Sequence, residues 1–350
     1  MRRLPGLLLW LTGLCVASPS LAQAPLNFAG KSVSMVIGFP AGGGTDIAGR
    51  VIAANLGRHL PGNPGIVVEN VPGAEGITAM NYFFKQAKPD GLSISMGSGS
   101  LGDPVHYRKP QAKYDPTKLN FIAGSGRGGS ILIINRDAES RLYDKTRPPV
   151  IMGSTTGIPR SGMLMTTWGI EFLDWNAKWV IGYPGTSNLM LALERGEIEM
   201  TSSSNISLLK KLIATGRFKA LAQSGSLESG HMVARAELGD TPVFEDLMKG
   251  KIKDPLQQKS FVYWQVLNDL DKWLALPPGS PQPVVDAYRA AYTEMLKDPA
   301  FLENAGKISD DFEPRAGKDV QQMIATLDAV TPEAISFIDA MLRRQGLSTE

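Results

Sequence analysis

The chain has 350 residues, of which 36 are Lys or Arg and 34 are Asp or Glu, so its formal net charge is only +2. This near balance argues against a nucleic-acid binder, because contacts to phosphates require a basic excess on one face. The length exceeds the roughly 250 to 300 residues that one hydrophobic core serves, and we therefore expect two domains.

The first residues, "MRRLPGLLLWLTGLCVASPSLAQA", have the pattern of a secretory signal peptide, with two arginines, a short apolar run and then small residues. We expect cleavage after Ala22, so residues 1–22 are the signal peptide and Gln23 is the first mature residue. Cleavage also removes Cys15, the single cysteine, and both arginines, which leaves 34 basic and 34 acidic residues (36 − 2 against 34). We expect a soluble periplasmic protein without disulfides.

Short apolar runs bounded by Gly, Pro, Asn or Asp recur along the chain and predict strands. They cover residues 33–39, 65–70, 92–97, 120–124, 131–135, 149–154, 178–183, 197–203, 218–224 and 261–267. Between many of them, apolar residues recur at helical spacing. The predicted helices cover residues 46–60, 77–85, 160–170, 187–195, 205–215, 281–297 and 318–344. Because strands alternate with helices, the predicted fold class is α/β, with mainly parallel sheets flanked by helices.

Two segments, 124–130 and 247–255, have the glycine- or lysine-rich composition that suits a crossing between domains. If the chain crosses at both, the middle section forms one domain and the two ends together form the other. The predicted division is 23–126 with 252–350 as a discontinuous first domain and 127–251 as the second.

The segment "GFPAGGGTD" follows the first predicted strand and opens into a helix. Backbone N–H groups at a helix start attract anions, so this loop is a candidate anion site. A phosphate-binding P-loop needs Gly-Lys-Ser/Thr, and a dinucleotide loop needs glycine where Ile47 stands, which argues against nucleotides. A plain turn with Thr45 as N-cap is the structural alternative, although three consecutive glycines exceed what a turn requires. The candidate ligand-binding residues of this loop are Phe39, Pro40, Ala41, Gly42, Gly43, Gly44, Thr45 and Asp46.

Other predicted strands also end in loops that are rich in hydroxyl groups and glycine and, apart from Arg160, uncharged. In doubly wound sheets, ligands bind beyond the carboxyl ends of the strands, so these loops complete the candidate site. The candidate residues in them are Ser98, Ser154, Thr155, Thr156, Gly157, Arg160, Ser161, Tyr183, Gly185 and Ser203.

Signals for catalysis are weak. The three histidines, His59, His106 and His231, are isolated in the sequence and show no metal-ligand spacing. No serine lies in G-x-S-x-G, so the nucleophile elbow of an α/β-hydrolase is absent. We expect a binding protein rather than an enzyme, with no metal and no cofactor.

Three features in order carry a resemblance: the N-terminal segment, "VSMVIGFPAGGGTDIAGRVIAANLGRHLPGNPGIVVENVPGAEGITAM" and "KPDGLSISMGSGS". Together they resemble the Bug-type extracytoplasmic solute receptors of tripartite tricarboxylate transporters. The resemblance extends through "YPGTSNLMLALERGEIEM", "GRFKALAQSG" and "TPVFEDL" and is weak over 250–275. It implies a two-domain Venus-flytrap architecture that closes on a small organic acid, without catalysis.

In that family the loop after the first strand and a second-domain loop grip a carboxylate through backbone amides and hydroxyls. The matching segments here are residues 40–46 and 153–162. Arg160 departs from the family pattern; it is either a solvated helix residue or a clamp for a second carboxylate, which makes a dicarboxylate one possible ligand.

The resemblance implies that the receptor delivers the carboxylate to the membrane permease subunits of the transporter. We expect a monomer, because the fold needs a free cleft to open and close. Two other functions remain open: a ligand-binding partner of a membrane receptor kinase, and an exported α/β enzyme acting on an ester or acid. The sequence does not identify the carboxylate.

Overall fold

The structure is a computed structural model. It describes residues 26–126, 129–154, 161–183, 186–204, 206–228, 231–308 and 312–347. The predicted signal peptide therefore lies outside the described residues.

The described chain contains strands and helices that alternate through its first two thirds. The strands are β1 (Ser32–Ile37), β2 (Gly65–Asn70), β3 (Ser93–Ser98), β4 (Asn120–Gly126), β5 (Ile131–Asn135), β6 (Val150–Ser154), β7 (Ala177–Ile181), β8 (Met200–Ser203), β9 (Phe218–Gln223), β10 (Ser226–Glu228), β11 (His231–Val233), β12 (Leu270–Leu276) and β13 (Glu313–Ala316). The helices are α1 (Gly44–Leu56), α2 (Ile77–Gln86), α3 (Pro104–Tyr107), α4 (Arg136–Leu142), α5 (Leu164–Phe172), α6 (Thr186–Arg195), α7 (Ile206–Ala214), α8 (Phe244–Met248), α9 (Pro255–Asp269), α10 (Gln282–Met295), α11 (Pro299–Ala305), α12 (Gly317–Asp328) and α13 (Pro332–Arg344).

The first sheet has six strands in the order β13-β4-β12-β3-β1-β2. One of its faces packs against α1, α10 and α11, and the other packs against α2, α9 and α12. Side chains alternate between the two faces along each strand, so Met35 and Ile37 lie under α1 while Val36 lies on the opposite face. The sheet is therefore buried on both sides, as expected where helices cover both faces.

The second sheet has five strands in the order β7-β6-β8-β5-β9. Helices α6 and α7 cover one face, where Ile131 and Ile133 are fully buried. On the other face, the apolar core is continuous with that of the first sheet and includes α5, α8 and α9. Trp168 of α5 stacks edge-on against Phe261 of α9 at a ring-centroid distance of 5.1 Å.

The predicted α/β class is confirmed, but the sheets are mixed rather than mainly parallel. Strands β1, β2 and β3 are parallel, as are β6, β7 and β8, whereas β12 runs antiparallel to β3 and β4, and β5 runs antiparallel to β8 and β9. The physical reason lies in the connections. Strand β5 follows β4 into the second sheet after a short connection, so it enters at the end where β6 and β8 terminate. Strand β12 likewise begins at the end where β3 and β4 terminate.

Two sequence-based predictions in the last third are wrong. Residues 261–267 are predicted as a strand, yet they lie inside α9. The run is apolar at nearly every position, including the exposed Val262, so it shows no helical stripe. The helix signal is instead Asp254, which caps the helix by accepting from the N–H of Gln257, followed by Pro255. The predicted helix over 318–344 is two helices, because Thr331-Pro332 starts a new one. The predicted domain boundaries stay a prediction.

Candidate functional site

The loop between β1 and α1 is shaped by its glycines. Gly42 has φ +81°, a left-handed conformation that glycine adopts at low cost, and the N–H of Gly43 donates to the carbonyl of Pro40 at 3.2 Å. Helix α1 begins at Gly44, and its N-cap is Gly43. The structural alternative in which Thr45 is the N-cap is wrong, because the helix starts one residue before it.

The first turn of α1 presents unpaired donors. Gly44, Thr45 and Asp46 have no acceptor for their backbone N–H groups within the described part of the chain, and the N–H of Ile47 is the first to bond inside the helix, to Gly43. A Cβ built on Gly44 meets no heavy atom within 4 Å. Three aligned N–H groups at the positive end of a helix dipole, beside open space, form a site for an anion.

The carboxylate of Asp46 is buried and turned into the loop. It accepts from the N–H of Gly42 at 2.7 Å, from Nε of Arg50 at 2.9 Å and from Nδ2 of Asn70 at 2.9 Å. Burial alone would raise the pKa of Asp46, but the hydrogen bonds from these three groups outweigh it and lower the pKa to about 2. We conclude that Asp46 fixes the loop with its side chain and can offer a ligand only its backbone N–H.

Asn70 holds the other side of the loop, and sequence reasoning missed it. Its Nδ2 donates to the carbonyl of Phe39 at 2.9 Å as well as to Asp46, while its Oδ1 accepts from Arg50 at 2.9 Å. Asn70 is the last residue of β2 and pairs in register with Ile37, the last residue of β1. A polar residue at the end of a strand beside the loop was the available signal.

The remaining predicted residues of the first loop border its open side. Pro40 and Ala41 are exposed, and Phe39 is partly buried, with its ring against Gly76. Ser98 ends β3, the neighbour of β1, and its hydroxyl accepts from the hydroxyl of Ser100 at 3.2 Å. The structure therefore brings Ser98 to the same end of the sheet as the glycine loop.

The predicted residues of the second sheet also meet at one end. Ser154, Ser203 and Tyr183 follow or end the adjacent strands β6, β8 and β7. The carbonyl of Ser154 accepts from the N–H of Gly182 at 3.1 Å and from that of Tyr183 at 3.4 Å. Ser154 and Ser203 are buried. Thr155, Thr156, Gly157, Arg160 and Gly185 lie outside the described residues.

Beyond the gap, the chain returns to this end of the sheet through a short 3-10 segment, Ser161–Met163. A Cβ built on Gly162 would lie 2.3 Å from Oγ of Ser202 and 2.4 Å from Cβ of Ser130. The close approach requires glycine and places the backbone of Gly162 against Ser130 and Ser202.

A buried ionic cluster joins the ends of the two sheets. Arg315 of β13 donates to Oδ1 of Asp269 at 2.9 Å and to the carbonyl of Leu227 in β10 at 2.9 Å, while Ser226 donates to Glu313 at 2.5 Å. Burial raises the pKa of Asp269 to about 6 despite the neighbouring guanidinium of Arg315. This cluster ties the hairpin after β9 to the first sheet at the end that carries the glycine loop.

The histidines are dispersed rather than gathered at this site. His59 lies 3.0 Å from Asp298, His106 lies 3.0 Å from Glu75, and the exposed His231 lies on the β10–β11 hairpin. Across the residues that the structure describes, no cluster of three or more His, Cys, Asp or Glu could hold a metal ion. None of the described helices is long and apolar enough to cross a membrane.

Comparison with known proteins gives relatives of one kind, although no family model matches the chain. The UPF0065 protein in the gbd 5' region of Cupriavidus necator is 28% identical over 319 residues, which span 85% of this chain and 84% of that protein. Protein BugT of Bordetella pertussis is 27% identical over 246 residues, which span 66% of this chain and 74% of that protein. The resemblance to the Bug-type proteins is confirmed.

Solved structures show the same fold. A TctC solute-binding protein from Polaromonas superposes with a TM-score of 0.65 at 18% identity and covers 89% of this chain and 98% of its own. The periplasmic binding protein BugD superposes with a TM-score of 0.50 at 24% identity and covers 91% and 98%. These likenesses confirm the two-domain fold of periplasmic binding proteins.

Proposed function

We propose that this chain, a relative of the Bug-type solute receptors, captures a small carboxylate between its two sheets and delivers it to the permease subunits of a tripartite tricarboxylate-type transporter. The protein is exported by residues 1–22, works as a periplasmic monomer, and binds its ligand without chemical change. Its two domains are 23–126 with 252–350, and 127–251.

The observation that carries this proposal is the first turn of α1. The N–H groups of Gly44, Thr45 and Asp46 lack acceptors in the described structure, and the space at Gly44 is open. Asp46, the one carboxylate in this turn, is already bound by Arg50 and two further donors. An anionic ligand can therefore take the N–H groups without competition from a protein carboxylate.

Closure of the two domains provides the remaining contacts. The serine-rich ends of β6 and β8 are the counterpart of the glycine loop, and the Arg315–Asp269 cluster lies where the chain passes between the sheets. Domain closure excludes water, and backbone dipoles then hold a charge more strongly because the local dielectric is lower. We propose that Ser154, Ser161 and Ser203 reach the ligand in the closed form.

The test uses the mature protein from Gln23 in a thermal shift assay with succinate, adipate, citrate, hexanoate and benzoate, and with glucose and lysine as controls. A ligand that binds the native state raises the melting temperature by mass action. We expect a rise with at least one of the five acids and none with glucose. A rise with glucose alone, or with none of the acids, contradicts the proposal.

Delivery to a permease is tested separately, by growth on the acid that binds. We expect deletion of the receptor gene to abolish its uptake and re-expression to restore it. If uptake is unchanged while transcription of acid-responsive genes is lost, the receptor serves a sensory kinase instead.

A further inference from the structure

A row of polar side chains crosses the first sheet near the glycine loop. Lys272 of β12 lies directly opposite Ser98 of β3 on one side and Ser125 of β4 on the other. Residues in direct register project from the same face of a sheet, so these three side chains are neighbours. The row lies at the end of the sheet where β3 and β4 terminate.

This row lies on the face that α1 covers. Two residues further along β12, Leu274 faces Ala123, and both belong to the core layer that contains Ile52 of α1 and Met96. Side chains two residues apart on a strand share a face, so Lys272 lies on the α1 side. The ammonium and the unpaired N–H groups of α1 thus occupy the same face and the same end of the sheet.

Two hydroxyl groups in the row have hydrogen-bonding capacity to spare. Ser125 is 5% exposed, and its Oγ has no partner within the described part of the chain. Ser98 accepts from Ser100, and its own proton has no acceptor among the described residues. A buried polar group without a partner is destabilising, and a ligand that forms a hydrogen bond with Oγ of Ser125 would remove that penalty.

Lys272 supplies the charge. Its side chain is 10% exposed, and its ammonium contacts the carboxylate of Asp271. An ammonium has three N–H donors, and this contact uses one of them. A buried ammonium beside hydroxyl groups with unused hydrogen-bonding capacity can bind a carboxylate by donating to it. When no ligand is bound, Asp271 stabilises the charge of Lys272.

We propose that Lys272, Ser98 and Ser125 form a second anionic subsite, which binds the distal carboxylate of a dicarboxylate whose first carboxylate lies on the N–H groups of α1. Strand β12 is two strand spacings from β1, roughly 10 Å, so a single carboxylate group cannot contact both sites. This inference rests on the proposed function and specifies the ligand class.

The test compares acids of equal chain length by titration calorimetry: adipate against hexanoate, with succinate against butyrate as a second pair. The unmodified mature protein is expected to bind at least one diacid tenfold or more tightly than its monoacid. Lys272→Met removes the ammonium and keeps the apolar stem; it is expected to weaken the diacid at least tenfold and the monoacid less than threefold. Asp271→Asn removes a competing carboxylate and is expected to tighten diacid binding.

Lys31→Met is the matched control, because Lys31 is exposed at the opposite end of β1 and the charge change is the same. Lys272→Gln provides a second variant in case Lys272→Met fails to fold, and the melting temperature of each variant without ligand reports folding. If Lys272→Gln folds and keeps the diacid preference, the inference is overturned. It is also overturned if the unmodified protein binds monoacids as tightly as diacids, whereas binding of neither class contradicts the proposed function itself.

Discussion

Replacement of Gly44 by alanine should increase stability and decrease ligand affinity at the same time. The position is helical, and a Cβ there meets no heavy atom within 4 Å. Alanine is more favourable than glycine in a helix by about 0.5 to 1 kcal/mol, since it loses less conformational freedom on folding. We therefore expect the free energy of unfolding to rise by up to about 1 kcal/mol.

Affinity should fall because the added methyl group enters the space that the carboxylate needs. A hydrogen bond to a charged group contributes about 1.5 to 3 kcal/mol. If the methyl group displaces the carboxylate from one of the three N–H groups of residues 44–46, the loss is about 2 kcal/mol, or roughly thirtyfold in Kd. The measurements are urea unfolding of the free protein and calorimetric titration with the acid that raises the melting temperature most.

Gly42→Ala is the matched control, because Gly42 has φ +81° and an alanine there is strained. The left-handed conformation costs a non-glycine residue about 1 to 2 kcal/mol, so this variant should be less stable than the unmodified protein. The two variants thus differ in the sign of the stability change. A Gly44→Ala protein that binds the same acid with unchanged Kd would refute the assignment of the open space to the ligand.

Three further predictions concern groups outside the ligand contacts. The pKa of Asp46 is about 2 in the folded protein, below the unfolded value of about 3.9. Its contribution to the free energy of unfolding, on the order of 1 to 2 kcal/mol, is therefore present above pH 4 and lost as the pH falls toward 2. In urea titrations, Asp46→Asn should lose less unfolding free energy over that range. Burial raises the pKa of Asp269 to about 6, so the free energy of unfolding should fall as the pH rises from 4 to 6, and an Asp269→Asn protein that keeps the full slope contradicts this. Trp168 is fully buried, so Trp168→Ala should lower the free energy of unfolding by about 3 to 5 kcal/mol. In the folded fraction, the Kd for the acid that binds should stay unchanged, since a changed Kd would place the ring in the ligand site.

The strands that lie between turn residues were predictable from sequence, and the glycine loop with them. Strand β12 was not, because "LDKWLAL" follows α9 without a turn signal and carries two charged residues near its start. By local pattern, such charges favour a loop, whereas in the structure Asp271 and Lys272 lie in β12 at one end of the first sheet. For Asn70 the sequence offered one signal, a polar residue at the end of a strand, but its contact with the glycine loop depends on the register of β2 with β1, which no local pattern encodes.

The mixed topology explains why the polar row exists at all. Ser98 ends β3 and Ser125 is next to the end of β4, whereas Lys272 is the third residue of β12. In a purely parallel sheet, the first residues of one strand lie at the opposite end from the last residues of its neighbours. Because β12 re-enters the sheet from the side of the second sheet and runs antiparallel to both neighbours, its N-terminal lysine meets the two C-terminal serines. The crossing between the two sheets thus also places a cation, which residues 40–46 lack, on the same face of the sheet as the helix that we propose receives the first carboxylate.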